Sequence, residues 1–327
     1  MAGKNYIAID WGSTNIRAFL YIDGKIVDEK KSHEGVTTVR GKDCEGAFDR
    51  LTSQWMEKYG PLPVIMSGMV GSINGWADAQ YLDCPVKLDQ LADHLTEVQH
   101  TKGYKIRIVP GICVKDPDNY NVIRGEEVQL AGALKDHPSK VFLMPGTHCK
   151  WVLCDGLKVD SFRTAMTGEI HSIMMKYSLV GLGAGEQEES AADFQAGLER
   201  GYNENNIIPR LFEIRGANIL GGIKPSHVGE FLSGLLIGSE IASMQKIFKF
   251  TKNDGPIGLI ASPFLNARYT KGLQLAGLES FCVNGDGRGI PRRYGAHCRS
   301  INLNTKTLHL KEMRRGRFKL PSFCAKL

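Results

Sequence analysis

The chain reads as an α/β protein built from a duplicated lobe. Residues 6–25 and 141–158 share one pattern: an apolar strand, a tight glycine turn, a second strand and a closing Asp-Gly pair, Asp23-Gly24 in the first and Asp155-Gly156 in the second. Each hairpin then gives way to helices and further short strands. Neither glycine turn leads at once into a helix, and neither GxGxxG nor GxxxxGK[ST] occurs, which argues against a βαβ dinucleotide fold.

The elements follow in order. Residues 6–11 and 16–22 are apolar and β-rich. Leu51, Trp55 and Met56 recur near helical spacing and predict a helix over Phe48–Tyr59. Val64–Met66 is a short buried strand, and Ser67–Ser72 a glycine-punctuated loop. Ile106–Ile112 is a strand interrupted by Pro110. Gly125–Lys135 opens a helix, with Glu126 and Glu127 in the first turn, where the helix dipole favours negative charge. After the second hairpin come helices over roughly Glu169–Ser178, Gln187–Glu199, Ile208–Arg215 and Val228–Phe250. A strand follows over Gly255–Ala261, and a helix over Ala267–Leu275. Gly183–Ser190 reads as an acidic loop leading into a capped helix. Gly234 and Gly238, four apart, predict close helix packing.

Length and composition bound the function. At 327 residues the chain accommodates two domains, divided here as 1–134, 135–286 and an atypical tail over 287–327. An apolar content of 42% with 23% charged residues is that of an ordinary globular protein. No apolar run approaches the roughly 20 residues of a bilayer span, and Phe231–Met244, the longest candidate, contains Ser233, Ser239 and Glu240. Lys4 leads directly into a strand without a signal-peptide pattern, so a cytoplasmic enzyme is expected. Eight scattered cysteines form no CxxC pair and read as buried free thiols; His148, Cys149 and Cys154 make a poor zinc pattern. The net charge of +6 is uneven: residues 287–327 carry eleven Lys/Arg and one acid, whereas residues 1–286 hold 30 basic and 34 acidic groups. A nucleic-acid role would rest on that tail alone and is set aside. A homo-oligomer is left open.

Two turns of glycine and hydroxyl residues offer N–H and O–H donors to anions and point to nucleotide-dependent phosphoryl transfer. That chemistry needs donors on the phosphates, a Mg²⁺ and a carboxylate to take the proton of the attacking hydroxyl. Gly12, Ser13, Thr14, Gly146 and Thr147 are the phosphate candidates; local side-chain-to-backbone bonds are the alternative for the hydroxyls. Asp10 ends a strand at the first turn, where it could hold Mg²⁺ through water. A turn-forming Asp is the weaker reading, because the second turn keeps glycine and hydroxyl with Pro145 in the acid's place. Arg17 reaches a phosphate or is a solvated strand charge, and Lys150 reads as a surface residue. One of Glu126 and Glu127 could take that proton, or both are ordinary acids at a helix N-terminus, and on pattern alone the two readings are even.

Taken together, DWGSTNIR, SGMVGS with INGW, RGEEVQL, MPGTHCKWV, FRTAMTGE, GLERG and FLSGLLIGSEIASM resemble the 2-dehydro-3-deoxygalactonokinases over roughly residues 5–286. The resemblance implies the actin–hexokinase–sugar kinase fold: two ribonuclease-H-like lobes with ATP in an interlobe cleft. It also implies phosphorylation of 2-dehydro-3-deoxy-D-galactonate at the 6-hydroxyl, with Mg²⁺. Asp10 then stands as the magnesium-side acid, Met144–His148 as the second phosphate motif, and the segment containing Ser262 at the adenosine motif. Arg124-Gly125-Glu126 resembles the Gly-Asp step of glycerol- and xylulose-type kinases, which turns the choice of base towards Glu126. Ser67, Gly68, Trp76, Arg163 and Glu169 lie in segments that resemble the family's and are substrate candidates. Arg163 suits the carboxylate through two parallel bonds, with a structural salt bridge as its alternative. The resemblance stops near Asp286, where a shifted reading frame or altered chain end is expected. The competing functions are a kinase of the same superfamily for another sugar or polyol, and a non-catalytic sugar-responsive binder.

Overall fold

Alternation along β1 (Tyr6–Trp11) buries Ile7, Ile9 and Trp11 on one face. β2 (Ile16–Ile22) pairs antiparallel with it, in register Tyr6–Tyr21 to Trp11–Ile16. β3 (Lys25–Ser32) returns through the two-residue turn Asp23-Gly24, both at positive φ (49° and 73°), the geometry that matches the strands' twist. The structure is a computed structural model and describes residues 5–39, 43–204, 206–284 and 300–301. The expectations placed on the tail over 287–327 therefore lie almost wholly outside the described residues.

The described chain divides into two compact units. The first runs up to Pro138 and includes the hairpin tip Cys154–Ser161. It contains β1–β3, α1 (Cys44–Tyr59), β4 (Val64–Ser67), β5 (Tyr81–Asp83), β6 (Val86–Lys87), β7 (Thr96–Val98), β8 (Ile106–Ile108), β9 (Gly111–Asp116), β10 (Asn119–Ile123) and α2 (Glu126–Asp136). Its main sheet has the order β3-β2-β1-β4-β8-β7, with β4 and β8 parallel to β1. The Asp43 carboxylate caps α1 by accepting from the Gly46 N–H at 2.8 Å, and Ala47, Phe48, Leu51 and Trp55 bury one helix face in the sheet's core. The strand expected over Ile106–Ile112 is in fact two. Pro110 lacks the ladder N–H, and beyond it β9 joins a separate three-stranded sheet, β10-β9-β5.

The second unit comprises Ser139–Leu153 and the chain from Phe162 onward. Its sheet contains β11 (Val141–Met144), β12 (Cys149–Asp155), β13 (Lys158–Ala165), β14 (Ile257–Ala261), β15 (Ser280–Asn284) and β16 (Ser300–Ile301), in the order β16-β15-β14-β11-β12-β13. β12 is antiparallel to β11, whereas β14 and β15 continue it in parallel. Both units thus repeat one plan: a three-strand meander whose first strand is extended by parallel strands on its other side. This 3-2-1-4-5 order is the ribonuclease-H-like arrangement. β6 is added to the tip of β13 through Lys158 and Val159, which belong to the first unit.

The helices α3 (Thr167–Tyr177), α4 (Ala191–Asn203), α5 (Ile208–Ile219), α6 (Val228–Phe248) and α7 (Pro263–Leu275) cover the second unit. α4 begins later than expected because Ser190 is its cap, accepting from the Asp193 N–H at 3.3 Å. α6 and α4 pack backbone to backbone: a methyl on Gly197 or Gly201 would collide with the Phe231 or Leu235 carbonyl, and one on Gly234 or Gly238 with the Phe194 or Leu198 carbonyl. Gly234 and Gly238 pack as expected, and the facing pair on α4 completes the seam. Among the described residues no helix is long and apolar enough to cross a membrane, and Cys44, Cys84, Cys113, Cys149, Cys154 and Cys282 are free thiols.

Candidate active site

In the first unit, the β1–β4 register sets Asp10 beside Ser67. Gly68 follows at φ +98°, where a side chain would collide with the Trp11 carbonyl and lie 3.5 Å from Asp10 Oδ1. Gly125, at φ +114°, abuts it: a methyl there would sit 3.1 Å from Gly68 Cα. Two glycine backbones in close approach therefore bring the start of α2 up to Asp10. Burial raises the Asp10 carboxyl above its ordinary pKa, and Arg17, its cross-strand partner, opposes the shift.

The two acids that open α2 differ. Glu127 shares a face with Leu130 and Leu134 and is fully buried. Its Oε2 accepts from the Gly125 N–H at 2.5 Å, and its Oε1 has no partner. Burial first, then the neighbouring Glu126 charge, push its pKa up to about 8. Glu126 is only half-buried, which leaves it the accessible carboxylate. The Arg124 guanidinium lies 4.0 Å from the centroid of the Tyr81 ring and donates to Tyr81 Oη and the Ala79 carbonyl.

The first phosphate turn is more engaged than its sequence suggests. The Gly12 N–H donates to the Asn15 carbonyl at 2.9 Å, while the Gly12 and Ser13 carbonyls accept from the N–H groups of Val36 and Thr37. What the turn presents is the exposed pair Ser13 and Thr14, with Arg17 also exposed. Gly35 lies so close beneath that a methyl would collide with the Ser13 carbonyl and Thr14 Cα. Asn15 joins Thr14 Oγ1 at 2.8 Å and the His33 ring at 2.8 Å.

The second turn is braced the same way. Thr147 and His148 are exposed, and Gly168, at the start of α3, packs on the Gly146 carbonyl and Thr147 Cα. The Glu169 N–H donates to the Thr147 carbonyl at 3.0 Å, and its carboxylate meets His148 Nε2 at 2.5 Å. Beneath lies a buried polar knot. Glu240 on α6 accepts from Trp151 Nε1 at 2.6 Å, from Tyr269 Oη at 2.7 Å and from Thr167 Oγ1. Cys149 Sγ lies 2.9 Å from Tyr269 Oη. Burial raises the Glu240 pKa, and its hydrogen-bond donors oppose the rise.

The remaining candidates fall as follows. Trp76 packs edge-on against Trp11, with ring centroids 6.1 Å apart, and against Phe48 at 5.6 Å, so much of its ring serves the first unit's core. Ser262 caps α7 by accepting from the Leu265 N–H at 3.4 Å. Arg163, on β13, is half-buried in the second unit, as is Glu169. Asp10, Ser67 and Gly68 come together in the first unit, with Gly125, the residue before Glu126, against Gly68; Gly146, Thr147 and Glu169 come together in the second. Lys150 is not a surface residue: β12 is buried on both faces and Lys150 with it. The sequence reading missed the braces at Gly35 and Gly168, the His148–Glu169 pair and the Glu240 knot. It also missed the burial of Glu127, although the spacing Glu127, Leu130, Leu134 carries that signal.

A family model described as 2-keto-3-deoxy-galactonokinase matches residues 10–289. The chain is 46% identical over 281 residues to the 2-dehydro-3-deoxygalactonokinase of Escherichia coli (strain K12), covering 86% of this chain and 93% of that one. A relative in Rhizobium meliloti (strain 1021), named for the same activity, is 32% identical over 289 residues, covering 86% and 92%. The crystal structure of a candidate 2-dehydro-3-deoxygalactonokinase from Sinorhizobium meliloti superposes with a TM-score of 0.76 at 31% identity, covering 86% of this chain and 92% of that one.

Proposed function

Because this chain belongs to the 2-keto-3-deoxy-galactonokinase family, we propose that it transfers the terminal phosphoryl group of ATP to the 6-hydroxyl of 2-dehydro-3-deoxy-D-galactonate. The products are the 6-phosphate and ADP, in galactonate breakdown. The observation that carries this is the close approach, in one unit, of Gly68, beside Asp10, to Gly125, which opens the helix carrying the half-buried Glu126. Glu126 takes the proton of the 6-hydroxyl as its oxygen bonds to the γ-phosphorus and the bond to the ADP oxygen breaks. Glu127 stays protonated and fixes the first turn of α2 through Gly125.

Asp10 fits Mg²⁺: it is a partly buried carboxyl whose charged form desolvation disfavours and Arg17 supports. Among the described residues no cluster of three or more metal-ligating side chains exists, which suits an ion that keeps its waters and binds through phosphate oxygens. Bound there, it would neutralise charge on the transferring phosphate. In the first unit Ser13 and Thr14 are assigned to phosphate oxygens, with Arg17 as a cation beside them; in the second, Thr147 is assigned to phosphate oxygens and Arg163 to the sugar-acid carboxylate. The unpaired thiols among the described residues suit a reducing compartment, and we place the reaction in the cytoplasm.

A coupled ADP-release assay across several 2-keto-3-deoxy acids and hexoses tests the reading. ADP should form fastest with 2-dehydro-3-deoxy-D-galactonate. Turnover with hexoses alone would move the chain to another sugar specificity, and no ADP with any acceptor would remove the kinase assignment.

A further inference from the structure

His148 stands immediately after the Gly146-Thr147 turn and is half-exposed. Its Nε2 lies 2.5 Å from Glu169 Oε2, and Nδ1 has no partner among the described residues. Glu169 holds this turn twice, through its backbone N–H on the Thr147 carbonyl and through its carboxylate on the imidazole. Gly168 seats the same segment directly on the turn. The ring is therefore held by a carboxylate whose own backbone is fixed on the turn, although the ring faces solvent. An exposed ion pair contributes little to stability, so stability alone gives a weak reason for this arrangement.

We propose that His148 is a further catalytic residue of the phosphoryl transfer, donating from Nδ1 to a β- or γ-phosphate oxygen of the nucleotide. The proposal rests on the kinase reading above. In the doubly protonated imidazole both nitrogens donate. In that form Glu169 accepts the Nε2–H and the Nδ1–H is a donor beside the hydroxyl of Thr147. Hydrogen bonds between charged partners are the strong ones, and a phosphate chain supplies the anion.

The first unit repeats the device. There Asn15 on the turn is held by His33, from the segment that follows β3, just as His148 is held by Glu169, from the segment that follows β13. Each turn thus carries a polar side chain oriented by its own brace. At the second turn the oriented group is an imidazole with a carboxylate behind it, the arrangement that makes it a directed donor to an anion.

Titration calorimetry of the full chain with ATP, ADP and AMP, without sugar acid, tests this. His148→Ala and His148→Gln should weaken ATP binding about tenfold or more, the scale of one hydrogen bond to a charged group, and ADP binding equally where the oxygen is on the β-phosphate, with AMP binding unchanged. Glu169→Gln should produce a smaller loss of the same pattern. If His148→Ala also lowers the melting temperature, His148→Gln is the variant to compare. Unchanged ATP and ADP affinity, or an equal loss for AMP, would overturn the assignment. Wild-type protein that binds no nucleotide would instead sink the kinase reading. Wild-type protein that binds ATP yet phosphorylates no sugar acid would sink the substrate while leaving the His148 result standing.

Discussion

Glu126 and Glu127 are adjacent in sequence and opposite in environment, and each has its own measurement. Glu126→Gln should lower kcat by at least about a hundredfold, the scale of a lost general base, while ATP affinity by calorimetry stays near wild type. Glu127 acts on stability. Its folded pKa, about 8, lies above the ordinary 4.5, so the native state holds a proton that the unfolded chain releases. Stability is therefore fully present below about pH 4.5 and falls as pH rises to about 8, with a slope of at most about 1.4 kcal/mol per pH unit. In Glu127→Gln that slope should flatten, measured as urea midpoints between pH 5 and 9; an unchanged slope would mean that Glu127 is ionised in the fold. Asp10→Asn should raise the magnesium concentration needed for half-maximal rate, and an unchanged requirement would return Asp10 to a turn-forming role. The sequence offered both acids as equals because a helix N-terminus welcomes either. What separates them is rotation about the helix axis, which places Glu127 above Leu130 and Leu134.

At the scale of elements, the two braces are the testable feature. Gly35→Ala and Gly168→Ala each put a methyl where the backbone of a phosphate turn already lies, so the turn must move. Both variants should raise KM for ATP several-fold and leave KM for the sugar acid close to wild type. Glu240→Ala should act on folding instead, because it strands Trp151 Nε1 in the core and leaves Tyr269 Oη with the Cys149 thiol alone. At about 1–3 kcal/mol for an orphaned buried donor, urea unfolding should show a loss of at least about 1 kcal/mol. Both hairpins were legible from alternation and their Asp-Gly pairs. The braces were not, since they depend on glycines distant in sequence meeting a turn, and no periodicity encodes such a meeting. Lys150 was misread for a related reason: alternation sorts a strand with one wet face, and β12 has none.

At the scale of the molecule, the repeated 3-2-1-4-5 order accounts for the duplicated pattern in the sequence, though strand order itself is a non-local property that the pattern does not contain. Of the small sheet, β5 is too short to read, β9 was joined to β8 across Pro110, and β10 escaped for want of an apolar run. Each unit has its own apolar core, one around Trp11 and Phe48 and another around Trp151 and Phe194. Binding to the native state alone stabilises it by mass action, so ATP at a hundred times its Kd should add about 2.7 kcal/mol, read as a rise in Tm. The α4–α6 seam has a mechanical consequence. With four glycines seated against opposing carbonyls, the helices mesh like toothed racks and cannot slide by fractions of a turn. Adjustment when a nucleotide arrives then falls to the loops at their ends, while the pair travels as one girder that carries Glu240. Hydrogen exchange should show it: the central amides of α4 and α6 should open together, at one common rate, with or without nucleotide.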